Sequence, residues 1–181
     1  MDCLDTERKV KIYELILSRY RELIKEKEER SISEIRQMIN PYDDFVKSLR
    51  DDIIRDIQPY LQEKHFFSAV QKCTDYIKSI YNLKLPVIFY LTFKEIDELK
   101  VAPILDQSVL LCSLIRSLGS ENAKVHIMNS NKIYVGFDFE FERYLIDPES
   151  GTLFRGGDVE AIFKSDKPSY SFSDLHFESF E

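Results

Sequence analysis

The sequence predicts an α+β domain, with helices over its first two thirds and an antiparallel sheet over its last third. Three observations carry this. Apolar residues recur every three or four positions as far as residue 118. The segment 105–118 is apolar around most of its circumference, which marks a central helix rather than a surface one. Beyond Gly119 the apolar period falls to two, as half-buried strands require. A chain of 181 residues suits one compact domain with an appendage, and 44% hydrophobic residues are enough for a sizeable core.

Residues 6–29 read as one long helix. Val10, Tyr13, Leu17, Tyr20 and Ile24 form an apolar seam, flanked by Glu7–Lys11 and Lys25–Glu29 at i,i+4. Such a seam either lies on the domain or docks on a protein partner or a second copy of the chain. Ser31 and Glu34 form a capping box that opens a short helix carrying Ile32, Ile35 and Ile39. Asn40-Pro41 is the next start signal, with Asn40 as cap, Pro41 in the first position and Asp43 and Asp44 in the first turn. That helix turns Phe45, Leu49, Ile53 and Ile57 inward until Pro59 ends or kinks it. A further helix, 66–81, buries Phe66, Val70, Cys73, Ile77 and Ile80.

The run 85–91 contains Pro86 and reads as an extended connection. Thr92 and Glu95 repeat the capping box and start a short helix to about Lys100. After Pro103 comes the central helix, closed by Gly119 as a left-handed cap. Strands follow at 124–128, 132–139 and 141–146, the first two joined by Asn129-Ser130-Asn131 and the last two by a turn over Glu140–Arg143. A short helix is expected at 158–163, and the Phe- and Tyr-rich tail from Tyr170 is expected to pack on the domain. The organisation is a helical extension, 1–39, and a domain, 40–181.

A net charge of -7, with no basic run free of acids, argues against a nucleic-acid footprint. No segment approaches the roughly 18 apolar residues of a membrane span, and residues 1–30 lack a signal-peptide core, so a soluble, cytoplasmic protein is expected. Cys3, Cys73 and Cys112 are too scattered for a disulfide framework. With His65, His126 and His176 they show no ligand spacing, so neither a metal nor a cofactor is expected. Cys73 and Cys112 read as inert core thiols, and Cys3 as part of a fraying terminus.

Residues 106–119, Asp-Gln-Ser-Val-Leu-Leu-Cys-Ser-Leu-Ile-Arg-Ser-Leu-Gly, carry a resemblance. They resemble the helix Gly-Asp-Cys-x-Asp-x-x-x-Leu-Leu-x-x-Leu-Leu-Arg-x-x-Gly of the transglutaminase-like (papain-like) superfamily, from its second Asp onward. Thr92–Leu99 is similar to the short helix that precedes the nucleophile in that family. Asn131-Lys132-Ile133-Tyr134-Val135 resembles its Gly-His-Ala-Trp-Val strand, and Tyr144-Leu145-Ile146-Asp147-Pro148 its Trp-Tyr-x-x-Asp-Pro strand end. The resemblance covers about residues 40–150. It implies a helix packed on an antiparallel sheet, and a thiolate at the helix N-terminus paired with an imidazole that an Asp orients.

The departures fall on the reactive positions. Ile104 stands in the place of the cysteine, Ala102-Pro103 in that of the preceding Gly-Asp, and Lys132 in that of the histidine, which leaves Asp147 alone. Ile104 has no nucleophilic atom, and Lys132 is a cation at neutral pH. An ion pair between Lys132 and Asp147 is the expected remnant, within a candidate binding cleft of Asp106, Lys132, Tyr134 and Asp147. Cys112 lies eight positions beyond Ile104, about 12 Å along the helix, too far to replace the nucleophile. Three readings follow: a catalytically inactive domain that binds or scaffolds; a hydrolase or acyltransferase with unfamiliar residues, such as Ser108 with His126 and Asp147, or Lys132 with a lowered pKa; and an interaction module working through residues 6–29.

Overall fold

The computed structural model describes residues 3–180, with side chains from Arg8 onward. Helices α1 (Cys3–Arg19), α2 (Arg21–Glu28), α3 (Ile32–Gln37) and α4 (Asp44–Ile53) come first, followed by a 3-10 turn (Arg55–Ile57) and α5 (Gln62–Lys78). Two-residue strands β1 (Tyr81–Asn82) and β2 (Val101–Ala102) pair in parallel on either side of α6 (Phe93–Leu99) in sequence. Helix α7 (Ile104–Ser117) leads into β3 (Lys124–Met128), β4 (Ile133–Phe139), β5 (Glu142–Asp147) and β6 (Thr152–Arg155). After α8 (Gly157–Ser165) come β7 (Pro168–Phe172) and β8 (Phe177–Ser179). The large sheet is antiparallel throughout, in the order β6-β5-β4-β3-β7-β8.

Helix α7 is the centre of the core, and every residue from Asp106 to Ile115 is buried. It lies between α4 and α5 on one side and the sheet on the other. Side chains alternate across a strand, so Val125, Ile127, Val135, Phe137, Tyr144 and Ile146 face this core. Phe66 of α5 stacks on Phe139 at 4.7 Å between ring centroids and meets Phe137 edge-on at 5.5 Å. Each such pair adds about 0.5–1.5 kcal/mol beyond its area. The opposite alternation sends Met128, Tyr134 and Leu145 to the other face, where Val159, Ile162 and Phe163 of α8 cover them.

Both capping boxes form. The Glu34 and Glu95 amides donate to Ser31 Oγ and Thr92 Oγ1, and each glutamate accepts the cap residue's N–H at 2.8 Å. Gly119 closes α7 at φ +104°, a conformation that only glycine adopts freely. Gly136 answers a different need: a Cβ there would stand 2.5 Å from His126 Nε2 and 3.0 Å from Leu145 Cδ2. Gly136→Ala is therefore expected to cost about 2 kcal/mol, read as a lower urea midpoint with unchanged slope.

Several expectations are corrected. The helix expected over 6–29 is two, broken at Tyr20, whose φ of -102° and ψ of 13° lie outside the helical basin. Val10, Tyr13 and Tyr20 remain about half exposed, so most of the seam does not lie on the domain. Leu17 and Ile24, half-buried, line a cavity together with Leu85, Pro86, Val87 and Phe89. The pair Glu7–Lys11 falls on a side chain outside the described residues, as does the thiol of Cys3, whose backbone is helical. Lys25 and Glu29 form no ion pair, because Glu29 has already left the helix with ψ of 125°.

The cap of α4 is Asp43, not Asn40. Asp43 Oδ1 accepts from Phe45 N (2.9 Å) and Val46 N (3.2 Å), while Asn40 Oδ1 folds its own turn by accepting from Tyr42 N. Helix α5 starts four residues earlier than expected, at Gln62, and β4 starts at Ile133 rather than Lys132. The β4–β5 turn is the two-residue Glu140-Phe141, both at positive φ, the hairpin turn that matches strand twist. The tail does pack on the domain, as two further strands. Among the described residues no helix is long and apolar enough to cross a membrane.

Candidate functional site

The first turn of α7 sets the geometry. Pro103 occupies its cap position and offers no side-chain oxygen, so nothing polar caps the helix there. Ile104, half-buried, is its first residue. Gln107 reaches back from inside the helix and donates Nε2 to Ala102 O at 2.9 Å, which fixes β2 against the helix start. Asp106 is 3% exposed, and its Oδ2 accepts the Leu91 N–H at 3.0 Å. Burial raises its pKa to about 6, against the lowering pull of the Leu91 amide and of Arg30.

Asp106 borders a cavity of about 330 Å³ together with Arg30, Asn40, Tyr90 and Lys94. The Arg30 guanidinium lies over the Tyr90 ring, 4.2 Å from its centroid, a cation–π contact. Arg30 lies between α2 and α3, so the link joining these helices forms part of the cavity wall. Neither Arg30 nor Tyr90 is a candidate from the sequence. They come from segments far apart in the chain, and neither sits in a motif.

The other expected site residues lie elsewhere. Lys132 is exposed and precedes the strand, its backbone carbonyl accepting from Met128 N at 2.9 Å. The ion pair expected between Lys132 and Asp147 is not formed. Asp147 Oδ1 accepts instead from Glu149 N (2.9 Å) and Ser150 N (3.4 Å), which shapes the turn into β6. Val135 pairs with Ile146, so Tyr134 and Asp147 come next in register at the end of that ladder. Tyr134 packs on the α8 face, away from α7. The structure therefore brings Tyr134 near Asp147 and leaves Asp106 with a different set of neighbours.

The alternative nucleophiles are also placed. Ser108 is fully buried and its hydroxyl donates to Ile104 O at 2.7 Å, within its own helix. His126 lies on the α8 side of the sheet, with Nδ1 2.7 Å from Ser171 Oγ, and burial lowers its pKa to about 3. The Ser108, His126 and Asp147 side chains each have separate partners. Cys73 and Cys112 are fully buried free thiols, and burial pushes Cys73 up to about 12 and raises Cys112 as well. Among the described residues no three His, Cys, Asp or Glu side chains gather where a metal ion would be held. The start of α7 thus presents a buried carboxyl, a stacked guanidinium and a phenol, groups suited to recognition.

No family model matches the sequence, and no curated relative matches it. Solved structures do. LapG of Legionella pneumophila superposes with a TM-score of 0.57 at 11% identity, over 83% of this chain and 88% of that one. Its EGTA-treated form gives 0.56 at 11% identity, over 84% and 87%. Its calcium-bound form gives 0.54 at 12%, over 84% and 91%. At such identity the likeness establishes the fold, and that fold is the transglutaminase-like one expected from residues 106–119 and Asp147-Pro148.

Proposed function

With the transglutaminase-like fold as premise, we propose that this chain is a binding or scaffolding domain that does not run the thiol chemistry of the fold. One observation carries the reading: Ile104, a residue without a reactive atom, occupies the first position of α7, where the resemblance puts the nucleophile. The surroundings support it. Lys132 is exposed on the far side of a turn, and the two described cysteines are sealed in the core as protonated thiols. The cavity beside Asp106 is the binding site in this reading. A cytoplasmic setting and a boundary near residues 39–40 belong to it too, although Ile35, Met38 and Ile39 already pack on the core.

The test uses the full chain carrying Cys3→Ser, so that only the two described thiols remain. Iodoacetamide is expected to modify neither Cys73 nor Cys112 in native buffer and both in urea, with no turnover of amide or peptide substrates. Turnover that a single substitution abolishes, or rapid native labelling, would sink the reading.

A second reading has its own support. Val10, Ile12, Tyr13, Leu15 and Ile16 of α1 are each about half exposed, an apolar density that isolated surface helices seldom carry. It makes residues 6–29 a surface for a protein partner or self-association. Light scattering on the full chain and on a Tyr13→Glu/Ile16→Glu variant decides it. Association present in the first and lost in the second supports it, and a monomer in both removes self-association.

A further inference from the structure

The outer face of the sheet holds a second cavity, about 440 Å³, that shares no lining residue with the one beside Asp106. Its position follows from strand alternation: His126 and Gly136 turn away from α7 and line it, with Phe163 of α8 and Phe180 after β8 as aromatic walls. His126 is 8% exposed and meets the Phe163 ring edge-on at 5.3 Å. Its Nδ1 is held by Ser171, itself 1% exposed. Its Nε2 makes no hydrogen bond among the described residues, and the His126 side chain lines the cavity. Gly136 lets the imidazole lie close against its backbone, since a Cβ there would stand 2.5 Å from Nε2. Phe180, by contrast, is 46% exposed, an aromatic ring left in water at the cavity mouth.

Charge at the rim is balanced. Lys124 pairs with Glu178 at 3.2 Å and Arg143 with Asp138 at 3.5 Å. The rim therefore favours neither anions nor cations. The floor presents a neutral imidazole with one free nitrogen, able to make a single hydrogen bond to an uncharged group. The volume falls in the range of small-molecule sites, which pair apolar walls with few fixed polar atoms.

We propose that His126, Gly136, Phe163 and Phe180 form a binding site for a small, uncharged aromatic ring bearing one hydrogen-bonding edge. The ring packs against Phe163 and Phe180, and its polar edge meets His126 Nε2. The site is independent of Ile104 and of the cavity beside Asp106, so it stands or falls apart from the function proposed above.

Saturation-transfer NMR on the full chain, with benzamide, phenol and indole as probes and benzoate and benzylamine as charged controls, tests this. The uncharged probes are expected to bind and to shift the ¹⁵N resonance of His126 Nε2. Phe180→Ala, at a position exposed enough to spare the fold, is expected to weaken them about tenfold. Asp106→Asn is expected to leave binding unchanged. The proposal is overturned by absence of binding to all three probes, by binding that Phe180→Ala leaves intact, by a silent His126 resonance, or by tenfold preference for either charged control. Loss of binding in Asp106→Asn would also overturn it, by moving the probes to the other cavity.

Discussion

Asp106→Asn is expected to stabilise the protein at neutral pH by about 1–3 kcal/mol. Burial raises the Asp106 carboxyl to about 6 from an ordinary 3.8, so the folded state holds its proton more tightly than the unfolded chain. A rise of that size is worth about 3 kcal/mol at most. For a raised carboxyl, that contribution is fully present below about pH 4, declines as pH rises toward 6, and is gone above it. Asparagine keeps an acceptor for the Leu91 N–H and carries no charge. Urea melts of both proteins at pH 4 and pH 7.5 should nearly coincide at the lower pH and separate at the higher. A variant less stable at pH 7.5 would show that Arg30 holds the ionised form more strongly than burial opposes it.

Arg116→Met is expected to destabilise the protein by about 3–5 kcal/mol. The Arg116 side chain is 6% exposed and grips Asp174, 16% exposed, through two parallel bonds of 2.8 and 2.9 Å. Its third nitrogen donates to Ser120 O at 3.0 Å, just beyond the end of α7, where a cation also suits the helix dipole. Removing the guanidinium strands a largely buried carboxylate. Arg116→Met with Asp174→Leu removes both charges and should recover most of the loss. Denaturant midpoints for the wild type, both single variants and the double variant settle it. A single-variant loss under about 1 kcal/mol, or a double variant as poor as the sum, would refute the account. The pair also matters for topology, since Asp174 lies between β7 and β8 and Arg36 of α3 donates to the Asp174 and Leu175 carbonyls there. Two arginines thus lock the tail strands to the helices.

The legible parts of the fold are those with local causes. Helix α7 is readable because a helix apolar around most of its circumference belongs at the centre, and Gly119 marks where it must stop. The two capping boxes are readable because both halves of each lie within four residues. The break at Tyr20 is not, since Arg19-Tyr20-Arg21 contains neither glycine nor proline. The cap at Asp43 escapes a sequence reading because Asn40 is an equally good capping residue, and only tertiary packing chooses between them. Strands β6 to β8 are short and draw their stability from neighbours distant in sequence. The site divides the same way. Ile104 and Asp106 are found through the α7 motif, whereas Arg30, Tyr90 and the Ser171 partner of His126 arrive by long-range packing.

The short outer strands have a consequence for assembly. At one rim of the sheet stands β8, three residues long and carrying Glu178, and at the other β6, four residues bounded by Gly151 and Gly156. Neither rim offers the long row of unpaired amides and carbonyls that another chain needs to add a strand, and a charged residue on a rim opposes it further. Growth of the sheet from molecule to molecule is thereby disfavoured at both ends. The exposed large apolar side chains stand instead on the helices, with Val10, Ile12, Tyr13, Leu15 and Ile16 on α1.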